Sequence, residues 1–284
     1  MSILTILLLD VCQITFTKSV NLMQQQNVFI FPYPIVSNCP QFLIPPPPGV
    51  GLRPRNQDAL IDSQMFVLQD GDTNTLPSEP KGEGSLNADY AQRMKEFLAV
   101  YSKTAMGAND NGDYPSFSPE ATLGECGQFP YGYVEEGDSP VAPCIFVKLN
   151  SIWGWTPEAY VCTNEPSEVK DDMPLCPEGV DLPATSEASV QIDCQGRYAA
   201  DKEALEGEGL TYFPADKGLP IRYFPFEGKS KTEAYHSPLV AVKVNPAKKG
   251  QMVHIECRAY YAGVKHVTKS KEGLVQFEVQ IKKD

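Results

Sequence analysis

Val190, Ile192 and Cys194 alternate with polar neighbours, and Val253, Ile255, Cys257 and Ala259 repeat the pattern further along the chain. Successive side chains of a strand point to opposite faces, so each run is a strand with a cysteine on its apolar, inward side. Two such cysteines on facing strands are placed to bridge the layers of a β-sandwich, with two free core thiols as the alternative. Closing that loop of roughly 60 residues stabilises by about 4 kcal/mol in the chain-entropy model.

The neighbouring sequence extends the pattern. Ile145–Leu149 and Leu239–Val244 are β-rich runs, and Val275, Phe277, Val279 and Ile281 alternate to the chain end. Gly207-Glu208-Gly209, Lys217-Gly218-Leu219-Pro220, Glu227-Gly228 and Asn245-Pro246 punctuate them. Many short strands between turn signals predict a mainly β antiparallel sandwich over 107–284. Upstream, Tyr90, Met94, Phe97, Leu98 and Tyr101 recur at helical spacing, predicting a helix over 87–103 capped by Asn87 or Asp89 and ended by Gly107–Gly112. The stretch 49–87 reads as an extended connector with at most an apolar turn at Met65–Leu68, so that 48–106 is connector plus helix. Residues 1–47 are atypical. Met1–Leu9 is too short to span a bilayer and lacks a basic segment before it, while Val28–Ile44 is interrupted by Pro32, Pro34 and Pro40. Pro45–Pro48 is stiff polyproline, and no convincing transmembrane helix emerges.

The net charge of −12 over 284 residues argues against a nucleic-acid partner, which needs clustered Lys and Arg. Glu158–Glu208 carries thirteen acidic and three basic residues, whereas Lys217–Asp284 carries thirteen basic and six acidic. The acidic part reads as a solvated face, or as a surface that modestly concentrates cations. None of the eight cysteines forms a Cys-x-x-Cys pair, and six follow residue 120 among short strands. That is how an oxidised extracellular domain reads, not a zinc module. Cys126 and Cys144 bracket a turn-rich segment that a clasp would brace. Cys162 and Cys176 bracket an acidic, proline-containing loop and pair most economically with each other. Cys12 and Cys39 stay unassigned.

No Gly-x-Ser-x-Gly elbow, phosphate loop or His-Glu-x-x-His occurs, and nothing implies a catalytic residue, cofactor, metal or small-molecule substrate. His236, His254 and His266 are the only histidines. His254 takes the outward phase of its strand and faces solvent or the other layer, and Asp171-Asp172 reads as a solvated turn. Tyr223, Phe224 and Phe226 are either strand core or an interface anchor. Trp153 and Trp155 alternate across a strand end, one core and one surface.

Pro143-Cys144-Ile145-Phe146-Val147-Lys148-Leu149-Asn150, followed by Gly154-Trp155-Thr156-Pro157-Glu158, resembles a signature of the beta subunits of sodium/potassium-transporting ATPases. So do Tyr131-Gly132-Tyr133, Val190–Cys194 with Asp201-Lys202, Tyr223–Gly228, Pro238–Val242, Ile255–Tyr260 and Phe277–Ile281, in the family's order. Pro48–Pro54 and the helix resemble the family's post-membrane segment. A gastric proton-pump beta subunit shares most of these blocks. The resemblance implies an immunoglobulin-like ectodomain, extracellular at the plasma membrane. It implies a non-catalytic subunit that assists assembly and delivery of the catalytic alpha subunit and tunes cation transport. Tyr223, Phe224, Pro225, Phe226 and Gly228 would then form part of the partner interface. The chain departs from the family in residues 1–47, in lacking a cysteine between Cys39 and Cys126, in adding Cys162 and Cys176, and in having no Asn-x-Ser/Thr sequon. The alternative is a secreted or cell-surface adhesion protein on the same ectodomain.

Overall fold

A computed structural model describes residues 49–53, 64–69, 86–105, 115–134, 141–162, 176–178, 180, 182–183, 185–227, 233–246, 249–269 and 271–282. The readings of residues 1–48 with Cys12 and Cys39, of Gly107–Gly112, of Asp171-Asp172 and of Gly228 fall outside these residues. The described elements belong to one compact unit, Pro47–Asp284.

The alternating runs become strands. β1 (Val50–Arg53), β4 (Cys144–Leu149), β9 (Val240–Val244) and β6 (Leu210–Phe213) form one sheet, all antiparallel, in the order β1-β4-β9-β6. A second sheet has the order β2-β11-β10-β5-β7, built from β2 (Gln64–Gln69), β5 (Ser189–Gly196), β7 (Gly218–Pro220), β10 (Met252–Tyr260) and β11 (Leu274–Lys282). Its pairings are antiparallel except β2 with β11, which run parallel. Two-residue strands β3 (Thr104–Ala105) and β8 (Glu233–Ala234) make a small parallel pair. The mainly β sandwich is thus present, and its inward residues from both sheets merge into one apolar core.

Two expectations need correction. The segment read as connector supplies a strand to each sheet: Val50 and Leu52 enter the first, Phe66 and Leu68 the second, all four buried. Each run is too short, and too closely flanked by Gly, Pro or Asp, to announce itself by period. Cys194 and Cys257 are also disulfide-bonded, but not across the layers. They are directly opposed on neighbouring strands β5 and β10 of one sheet, with Cα atoms 4.0 Å apart.

The link between layers falls to Tyr212 on β6. Its hydroxyl donates to the Cys194 carbonyl at 3.0 Å and accepts from the Cys194 amide at 2.9 Å. Both polar groups lie where β7 no longer covers the edge of β5, and an unsatisfied buried pair would cost several kcal/mol. The Lys217 ammonium sits 4.5 Å from the Tyr212 ring centroid and reaches Asp193 Oδ1 at 3.0 Å. Ring, cation and carboxylate together close this side of the sandwich.

β4 is buried along its whole length because both faces are covered. Ile145, Val147 and Leu149 point into the sandwich. Phe146 points outward, against Phe97 and Tyr131. Phe97 belongs to helix α1 (Leu86–Leu98), which passes into a 3-10 turn over Ala99–Ser102, so the helix expected over 87–103 is present with a tightened last turn. Two further short helices are α2 (Pro119–Thr122) and α3 (Ala199–Ala204). Cys126 and Cys144 form the expected bridge, binding the 3-10 turn Gly124–Gly127 to the start of β4. Beside it the Tyr133 hydroxyl donates to the Cys144 carbonyl at 3.0 Å. Gly132 (φ +71°) is obligatory there: a Cβ would stand 2.0 Å from the Ala142 carbonyl. No helix among the described residues is long and apolar enough to cross a membrane.

Candidate interaction surface

After β4 the chain leaves the sheet and runs along its end. Trp155 N donates to the Ile152 carbonyl and Gly154 N to the Phe226 carbonyl, so 152–155 is a tight corner docked on residues 223–226. Gly154 adopts φ +67° with no atom within 4 Å of its would-be Cβ, so the backbone twist, and not crowding, calls for glycine. Trp153 pairs with Phe226 in an isolated bridge, and Ala159 with Tyr261.

The corner turns the two tryptophans opposite ways. Trp155 is half-buried, its ring edge-on to Phe224 and Tyr261 at centroid distances of 6.1 and 5.5 Å. Burial pushes the Tyr261 phenol up to about 12, with the Glu272 carboxylate adding to it. Trp153 keeps 53% of its surface exposed. Its ring stands edge-on to Phe226 at 6.2 Å, and Phe226 in turn packs on Tyr235 at 5.2 Å. Phe226 and Tyr235 form a small apolar cluster of their own, apart from the main core. A half-exposed tryptophan on a buried aromatic base is the kind of rigid group that anchors an interface.

The aromatic run expected to make that interface divides differently. Tyr223 is buried against Phe117 at 5.5 Å, while its hydroxyl accepts from Arg222, whose guanidinium also pairs with Glu187 at 2.7 Å. Phe226 is buried too. Phe224 and Pro225 are half-buried. Tyr223 and Phe226 therefore serve as internal packing, and the ring that meets solvent is Trp153. The exposed Gly154 corner was a detectable signal, because a Gly between two Trp in a turn forces them to different sides.

The remaining expectations are quickly placed. Cys162 and Cys176 are bonded to each other, half-buried and outside every strand and helix. Half-buried His254 lies between Asp201 Oδ1 at 3.4 Å and Glu278 Oε1 at 3.7 Å. His236 is buried against the Tyr101 ring and contacts the Ser116 hydroxyl. Burial lowers its pKa, with the backbone of Lys103 and Val100 opposing. His266 is lowered mainly by burial as well, against a hydrogen bond to the Ala259 carbonyl. Among the described residues no group of three His, Cys, Asp or Glu is arranged to hold a metal ion.

A sequence model of the family described as Sodium / potassium ATPase beta chain matches residues 35–277. Sodium/potassium-transporting ATPase subunit beta-1 of Drosophila melanogaster is 36% identical over 140 residues, 48% of this chain and 42% of that protein. Probable sodium/potassium-transporting ATPase subunit beta-3 of Caenorhabditis briggsae is 26% identical over 248 residues, 82% of this chain and 65% of the relative. Sodium/potassium-transporting ATPase subunit beta-2 of Homo sapiens is 24% identical over 260 residues, 83% and 72% respectively. The chain thus spans well under half the length of the fly relative it matches.

Proposed function

The chain belongs to the sodium/potassium ATPase beta-chain family, and on that premise we propose that it is the non-catalytic companion of a pump's catalytic alpha subunit. The observation that carries the reading is the family match itself, which runs through both sheets and the three disulfides among the described residues. On this reading, residues 107–284 stand outside the cell at the plasma membrane, where disulfides persist. The chain assists assembly and delivery of the alpha subunit. By binding one conformational state of the pump more tightly than another, it also shifts the transport equilibrium.

Trp153 is the anchor of that contact, with Phe224 and Pro225 flanking it. Tyr223 and Phe226 contribute by holding the surface in shape. Such a surface needs no catalytic group, since its work is differential binding. The test is co-expression with an alpha subunit, measuring alpha at the cell surface and potassium-dependent ATP hydrolysis in membranes. The chain should raise both several-fold, and Trp153→Ala should lose most of the gain while the chain stays folded. Equal surface alpha with and without the chain would overturn the proposal, and cell–cell binding by the chain alone would favour adhesion instead.

A further inference from the structure

His254 of β10 and Glu278 of β11 take the outward phase of their strands, and the register sets them directly opposite each other. Opposed side chains on neighbouring strands are within contact reach, and here the imidazole Nε2 lies 3.7 Å from Glu278 Oε1. The other ring nitrogen, Nδ1, lies 3.4 Å from Asp201 Oδ1. Asp201 is held in place: its side chain is 5% exposed, and its Oδ2 accepts from the Tyr198 amide at 3.1 Å. A fixed carboxylate beside Nδ1 keeps the proton of a neutral imidazole there, which turns the Nε2 lone pair toward Glu278. A lone pair and a carboxylate oxygen facing each other repel, and a cation between them removes the repulsion. Both groups are open to water, with side chains 31% and 27% exposed. The next outward carboxylate on β10, Glu256, is already taken by Arg258 and Gln276.

We propose that His254 Nε2 and Glu278 Oε1 are paired ligands of a divalent transition-metal ion, with Asp201 orienting the imidazole from behind and water completing the coordination. Nitrogen and oxygen ligands stand about 2.0–2.2 Å from Zn²⁺, which puts two neighbouring ones on the order of 3.0–3.4 Å apart. A small rotation of the Glu278 side chain closes the observed 3.7 Å to that span. Imidazole with carboxylate suits Zn²⁺ and Cu²⁺, and Cu²⁺ binds such a site more tightly. Mg²⁺ and Ca²⁺ prefer shells of oxygen and are poor occupants. Two protein ligands make an open, exchangeable site, unlike the four of a closed structural centre. A bound ion clips β10 to β11 and, through Asp201, to α3. This holds whether or not the chain serves a pump.

The test strips the folded full-length chain of metal with a chelator, then titrates it with ZnCl₂ and with CuCl₂. The parent should show a site that His254→Gln loses and His266→Gln keeps. Glu278→Gln should weaken it, and Asp201→Asn should cost about ten-fold in affinity, as loss of an orienting carboxylate does elsewhere. Electron paramagnetic resonance of the Cu²⁺ form should show an imidazole nitrogen in the parent and in Asp201→Asn, but not in His254→Gln. Zn²⁺ should raise the midpoint of thermal unfolding of the parent and leave that of His254→Gln unmoved. Melts in chelator check that each variant is folded, and half-exposed Glu278 is the substitution least able to disturb the sheet. A parent that binds neither ion would overturn the proposal, as would equal affinity and an unchanged Cu²⁺ spectrum in His254→Gln. His254 would then serve only as an ion-pair partner of the two carboxylates.

Discussion

The centre of the second sheet and the rim at 152–162 use the same residue types to opposite ends. At the centre, a disulfide joins neighbouring strands and Tyr212 and Lys217 are spent on closing the sandwich. At the rim, a disulfide lies off the sheets and Trp153 faces water. Cysteine and aromatic content alone therefore does not separate scaffold from recognition surface. What separates them is whether each group's contacts are satisfied within the chain.

The disulfides give the largest contrast. Their sequence separations of 63 and 14 differ in chain-entropy stabilisation by only about 1.3 kcal/mol. Cys194→Ala with Cys257→Ala also empties core volume, so its loss, about 4 kcal/mol or more, should exceed that of Cys162→Ala with Cys176→Ala by more than the entropy difference. Chemical denaturation of both double variants checks this. Equal losses would erase the distinction between seam and rim.

The aromatic pair that touches across the boundary comes next. Phe226→Ala should cost about 3 kcal/mol, because Phe226 is buried between Trp153 and Tyr235. Trp153→Ala should stay within about 1 kcal/mol of the parent, since half its surface already meets water. For the same reason a Tyr223→Ala, Phe226→Ala double variant is a poor probe of the interface: it damages the fold first.

Tyr212→Phe isolates the link between layers. Removing the hydroxyl leaves the Cys194 amide and carbonyl without their partner, at a cost of about 1–3 kcal/mol with little change of shape. Thermal melts of this variant measure it.

The smallest effect is acidification. The folded pKa values of His236 and His266 lie below the ordinary 6.5, chiefly through burial. The folded state then binds fewer protons than the unfolded chain, so stability is full above about 6.5 and declines as pH falls toward the folded values. The midpoint of thermal unfolding should drop between pH 7 and 5.5, and His236→Gln should flatten that slope.

Most of this contrast was readable beforehand only on the scaffold side. β5, β9, β10 and β11 announce themselves because one face is apolar and the other polar, so period two survives in the sequence. β1 and β2 are short, and their burial comes from partners far along the chain. The bonding of Cys194 with Cys257 was legible. Its in-sheet geometry was not, since an inward phase is the same for a neighbouring strand and for a facing layer. Tyr223, Phe224 and Phe226 are all aromatic, so composition could not say which faced inward. That depended on Phe117, Tyr235 and the Gly154 corner folding against them.

The central claim is that this fold serves a pump's catalytic subunit through the Trp153 rim. Affinity purification of a tagged alpha subunit from membranes co-expressing this chain tests it directly, with the parent and Trp153→Ala chains compared at equal expression and matched thermal stability. The account predicts recovery of the parent chain with alpha and at least a several-fold loss for Trp153→Ala. A parent chain that never co-purifies would contradict it.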